Sequence, residues 1–160
     1  NAAQDDLSEG GARISLMKRE TRSMTFYVLL WAIAFVLLLI IDMIWLMWLG
    51  RGFYVEEIGG LLLDQPNLIA AFGFYALYIA GLVYLVIAPA AEADSVIKAV
   101  ISGAVFGLVA YATYDLTNLA VMKGFTLKIA LIDMVWGMVL SAAVSGLTVK
   151  IIGLFQNSNA

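Results

Sequence analysis

Three carboxyl groups, Asp42, Asp115 and Asp133, lie inside long apolar stretches of the chain. A carboxyl at the centre of a membrane helix costs about 2.5–3.5 kcal/mol on insertion scales, so each needs a partner, water or a proton. Taking up a proton is the common escape for a buried acid. Acids so placed can do two kinds of chemistry. Beside Tyr111, Tyr114, Thr117 and Asn118 they can bind a cation or relay protons. Alternatively they act as structural clasps, holding tyrosine hydroxyl, asparagine amide and tryptophan indole groups across helices, at about 0.6–2 kcal/mol each. No lysine or arginine falls at the same depth, which favours neutral carboxyls and the clasp. A site for a lipid or pigment headgroup is the third reading.

The residue types that are missing narrow the chemistry further. There is no histidine and no cysteine, which removes the commonest general base, the usual haem ligand, thiolate metal sites and disulfides. The expectation is therefore a protein that is not an enzyme and has no catalytic or metal-binding residues. The cofactor stays unknown, with lipid or pigment contacts open. A net charge of −3 and a sequence pI near 4.7 argue against a nucleic-acid partner.

The elements that must position the acids are legible from hydropathy. Of 160 residues, 63% are hydrophobic and 13% charged, and the mean hydropathy is +0.96. A soluble domain averages roughly 45–50% apolar and about 25% charged. The surplus falls into four runs, at about 25–49, 68–88, 97–122 and 129–154, each long enough to cross a hydrocarbon layer of about 30 Å. The runs lack the dyad alternation of barrel strands. The fold class is all-α, an integral membrane four-helix up-down bundle (24–155) with a polar N-terminal extension (1–23) and a short tail (156–160). Pro89 closes the second run. In the loop Gly50 to Asn67, the residues Tyr54, Ile58, Leu61 and Leu62 have the spacing of a short interfacial helix. Glu56, Glu57 and Asp64 read as a solvated loop face. Tyr75, Tyr78 and Tyr84 read as packing residues or interfacial anchors.

Basic residues set the orientation. Arg13, Lys18, Arg19, Arg22, Lys98 and Lys150 gather at one end, against Arg51, Lys123 and Lys128 at the other. Both termini are therefore expected on the cytoplasmic, matrix or stromal side of an inner-type membrane of a bacterium or organelle (mitochondrial inner or thylakoid). The three acids then sit in the outer half of the bilayer.

Spacing also assigns faces. Ala99, Gly103, Gly107, Tyr111 and Asp115 recur at intervals of four, with Asn118 next on that face, and Asp133, Gly137, Ser141 and Ser145 repeat the interval. Small residues four apart let another backbone approach closely, so the acids lie on packing stripes that face the bundle interior. In the first run Trp31, Phe35, Leu38, Asp42 and Trp45 share a face. The segment Ile41-Asp42-Met43-Ile44-Trp45 recurs as Ile132-Asp133-Met134-Val135-Trp136, and the two helices run in opposite senses, as in an inverted repeat.

At Tyr111-Ala-Thr-Tyr-Asp115-Leu-Thr-Asn118-Leu-Ala120 the chain resembles the domain of unknown function 2177 family of membrane proteins. The likeness runs from about Met24 to Leu154 through Asp42-Met-Ile-Trp45, Tyr54, Asn67, Phe74-Tyr75, Gly81, Pro89, Gly103 with Gly107, and Asp133-Met-Val-Trp136-Gly137. Where that family carries Trp-Pro after the third run, this chain has Lys123-Gly-Phe125-Thr126. The resemblance implies a four-helix membrane protein, supports the choice of Asp42, Asp115 and Asp133, and supplies no activity. The leading functional expectation is a non-enzymatic accessory or structural subunit of a larger membrane complex, respiratory or photosynthetic. Its partners would be membrane lipids and other membrane protein subunits. The alternative is a small proton or cation carrier or channel using the aspartate cluster.

Overall fold

The computed structural model describes residues 24–157. The N-terminal extension and residues 158–160 lie outside the described residues. Four helices are long and apolar enough to cross a membrane: α1 (Met24–Trp48), α3 (Leu68–Glu92), α4 (Val96–Val121) and α5 (Leu127–Asn157). The short helix α2 (Arg51–Ile58) lies between α1 and α3, followed by a 3-10 turn at Gly59–Leu61. No strand occurs among the described residues. The chain is an all-α membrane bundle.

Capping side chains start three of these helices. The Asn67 side chain accepts from the backbone N–H groups of Ile69 and Ala70, both at 3.1 Å, and so opens α3. Ser95 accepts from the Lys98 N–H at 3.2 Å to open α4, and Thr126 accepts from the Ile129 N–H at 3.3 Å to open α5. These bonds satisfy donors that a helix start otherwise leaves orphaned. The α4–α5 connection turns on Gly124 at φ +85°, a conformation glycine adopts without penalty.

Two helix ends differ from the sequence expectation. Pro89 does not close the second span: the helix runs through it to Glu92, and the turn before it, Val83–Ile87, widens to a π-helix. A proline ring displaces the carbonyl four residues upstream, and a π turn is one way for a helix to absorb that displacement. At the other end α5 reaches Asn157, taking in the first residues of the expected tail. A second π turn, Trp45–Leu49, ends the first span, with the Gly50 N–H donating to the Trp45 carbonyl at 2.7 Å.

Helices α4 and α5 pack with their backbones in contact, and small residues explain it. A Cβ placed on Gly107 would collide with the Gly137 carbonyl, and one on Gly103 would stand 2.6 Å from the Ser141 carbonyl oxygen. The two backbones therefore touch along the stripe read from the sequence. The remaining core is aliphatic, with Leu30, Ala34 and Leu38 of α1 packed with Ile79 and Leu82 of α3 and Leu140 and Val144 of α5. On α1 the buried stripe is Leu30, Ala34, Leu38 and Asp42. Trp31 and Phe35, expected on the same face as Leu38 and Asp42, stack on each other at its margin with ring centroids 4.8 Å apart.

Candidate functional site

The repeated Asp-x-x-Trp segments meet at the end of the bundle that α2 covers. Within each segment the acid and the indole stand three residues apart, on one helix face. Because α1 and α5 are antiparallel, each segment sets its tryptophan beside the other's aspartate. The Trp136 indole donates to Asp42 Oδ1 at 3.0 Å. In the reciprocal direction Tyr54 intervenes: the Trp45 indole donates to the Tyr54 hydroxyl at 3.1 Å, and that hydroxyl donates to Asp133 Oδ1. The two indoles stack face to face, with centroids 4.4 Å apart and planes 10° from parallel.

Tyrosines from two further elements complete the network. Tyr75 of α3 donates to Asp42 Oδ2 at 2.6 Å, so both oxygens of this buried carboxyl carry a hydrogen bond. Tyr78 shares a 2.6 Å hydrogen bond with Ser141 and presents its ring edge-on to Tyr111. The second oxygen of Asp133 has no hydrogen bond among the described residues.

These groups surround a cavity of about 360 Å³. Its carboxyls are Asp42 and Asp133, and its indoles are Trp45 and Trp136. Tyr54, Tyr75, Tyr78, Tyr111 and Tyr114 supply phenol rings, while Leu46, Phe74 and Ala110 fill the gaps. No lysine or arginine lines it. Tyr114, Phe74 and Leu46 are exposed, at 62%, 48% and 39%, and so form the mouth.

Six of the residues singled out in the sequence thus come together: Asp42, Trp45, Tyr111, Tyr114, Asp133 and Trp136. Asp115 and Asn118 do not join them. Asp115 is fully buried with neither oxygen hydrogen-bonded. It sits on the stripe that faces α5, one turn beyond Tyr111, and does not line the cavity. Asn118 is half-buried and makes no side-chain hydrogen bond among the described residues. Thr117 turns back to bond the Thr113 carbonyl at 2.6 Å. The packing residues Gly103, Gly107, Gly137 and Ser141 occupy the α4–α5 contact, where the Ser141 hydroxyl also donates to the Gly137 carbonyl at 2.7 Å.

Three members of the network were not singled out as such in the sequence. Tyr75 and Tyr78, read as packing residues or anchors, also make hydrogen bonds to Asp42 and Ser141 respectively. Tyr54 bridges an indole and an acid. The available signal was an imbalance: three membrane-buried carboxyls demand donors, and tyrosines were the unassigned donors at a matching depth. Glu57 is likewise no solvated loop residue. It accepts from Lys128 Nζ at 2.6 Å and from the Thr126 hydroxyl at 2.8 Å, tying α2 to the start of α5. The Lys128 ammonium beside it holds the Glu57 carboxyl below its ordinary value. Burial, with Asp133 as hydrogen-bond partner, pushes the Tyr54 phenol up. Lys128 also stands 4.9 Å over the Phe53 ring. Three interactions thus fasten α2 over the cavity end.

The arrangement can stabilise positive charge without a metal-type ligand shell. No group of three or more metal-capable side chains occurs among the described residues. Two acids and several aromatic faces surround one space, and both attract cations.

The family model described as "Predicted membrane protein (DUF2177)" matches residues 27–150. No curated protein and no solved structure matches the chain. The chain belongs to that family of membrane proteins.

Proposed function

We propose that the protein is a non-enzymatic cation binder of the membrane, working as a small carrier or channel for cations or protons. One observation carries this reading: two carboxyls from antiparallel helices line the same cavity, and no basic side chain neutralises them. Intramembrane acids that face a cavity mark ion or proton pathways. Asp42 is held in place by two donors. Asp133, with one oxygen free, is the group that meets the ligand. Under the orientation that the basic residues favour, the cavity lies in the outer half of an inner-type membrane.

Reconstitution in liposomes tests it. A pH or cation gradient should dissipate faster with the protein present, and both Asp42→Asn and Asp133→Asn should slow that flux. Flux that neither substitution alters would sink the mechanism.

A second reading, an accessory subunit of a larger respiratory or photosynthetic complex, draws on a different surface. An open apolar groove runs between α3 and α4, lined by Leu85, Val86, Ile101, Val105, Phe106 and Val109. A partner helix or a lipid chain fits such a groove. Mild-detergent extraction from native membranes followed by native electrophoresis distinguishes the readings. Migration with a defined set of large partners favours the subunit, and migration alone favours the carrier.

A further inference from the structure

Which cation the cavity suits follows from its size and from the atoms left free. We infer that its ligand is a small lipophilic ammonium ion rather than a bare metal ion or a proton. The inference rests on the cation-binding reading and makes it specific.

A ligand pocket commonly spans about 300–1,000 Å³; this one, at about 360 Å³, fits a small organic molecule and far exceeds one bare ion. A hard metal ion such as calcium takes about six to eight oxygen ligands. Here most polar atoms are already engaged. Both Asp42 oxygens and the hydroxyls of Tyr54, Tyr75 and Tyr78 are spent on internal hydrogen bonds. What stays open in the lining is the second Asp133 oxygen, with the hydroxyls of Tyr111 and Tyr114. One free carboxyl oxygen is too few for a metal ion and suffices to accept an N–H. The rest of the wall is aromatic and apolar, and aromatic enclosure is how proteins hold alkylammonium groups. The mouth, formed by Leu46, Phe74 and Tyr114, lies on spanning helices. A cation entering there must carry its own apolar surface, which excludes hydrated sodium or potassium and admits an amine with a hydrocarbon body.

The test uses the full chain in detergent with Trp31→Phe and Trp48→Phe. Of the four tryptophans, only the stacked Trp45 and Trp136 then emit. Benzylammonium chloride is titrated against its neutral isostere benzyl alcohol and against sodium and potassium chloride. Benzylammonium should change the emission saturably and bind about tenfold more tightly than benzyl alcohol. Asp133→Asn should remove that preference. Tyr114→Leu, at an exposed position of the mouth, should weaken benzylammonium by about threefold, so the test survives if Asp133→Asn does not fold. Saturation by sodium or potassium, or proton flux in liposomes, with no response to benzylammonium, overturns the ammonium assignment and leaves cation binding standing. Equal responses to benzylammonium and benzyl alcohol, with none to the salts and no flux, overturn both.

Discussion

Helix α4 belongs to two contrasting regions. Over its first half it lies backbone against backbone on α5, where Gly103 and Gly107 meet Ser141 and Gly137. One turn further on, Tyr111 and Tyr114 join Trp45, Trp136, Tyr75 and Tyr78 around a cavity. Helix α4 thus meets α5 through small residues and turns its large ones toward a cavity shared with α1 and α3. Membrane helices gain little hydrophobic drive from meeting one another, so side-chain volume at the contact and interhelical hydrogen bonds decide their separation. In this bundle the volumes are sorted along the axis: a zipper at one level, a chamber at the next.

Breaking the zipper should have the largest effect. Gly107→Ala forces a Cβ into the Gly137 carbonyl and should cost about 3 kcal/mol, read as a lowered unfolding temperature or loss of a monodisperse species in detergent. Gly73→Ala, whose Cβ would meet nothing within 4 Å, should leave stability unchanged or slightly raised, which separates the contact from mere loss of glycine.

The chamber should be sensitive to chemistry more than to volume. Asp42→Leu leaves the Tyr75 hydroxyl and the Trp136 indole without their acceptor and should cost about 1–3 kcal/mol. Asp42→Asn keeps an acceptor oxygen and should cost less. Equal unfolding midpoints for the two variants would show that volume, not hydrogen bonding, governs this region too.

The smallest effect belongs to the tie that closes the chamber. The Glu57 carboxyl titrates lower in the folded chain than its ordinary value of 4.5. Its contact with Lys128 therefore stabilises the protein above that pH and is lost as pH falls through the lowered value. Thermal unfolding of the native chain should become less favourable to the folded state on acidification below pH 4.5, and Glu57→Gln should flatten that dependence. Salt should weaken the same contact, since Lys128 is exposed.

Much of the zipper was legible in the sequence, because a stripe of small residues four apart specifies a close helix contact without knowledge of the partner. The four spans were legible for the same reason: hydropathy and length are properties of one segment. The chamber was only half legible. Asp42, Trp45, Asp133 and Trp136 stand out as a repeat, yet the donors that satisfy them, Tyr54 and Tyr75, come from elements whose rotation no single segment encodes. Asp115 shows the limit from the other side. Its depth matches the other two acids, but depth is one coordinate, and its azimuth on α4 points it at α5. Pro89 misled for a local reason, since a π turn upstream lets the helix continue through it.

The stacked indoles have an optical consequence. Two indole chromophores held 4.4 Å apart and nearly parallel couple their excited states. A pair fixed at a defined twist gives a bisignate band in ultraviolet circular dichroism where isolated tryptophans give none. Because one indole sits on the first spanning helix and the other on the last, the amplitude of that band measures the register between the two ends of the chain. The protein carries its own label-free gauge of whether α1 and α5 have slid.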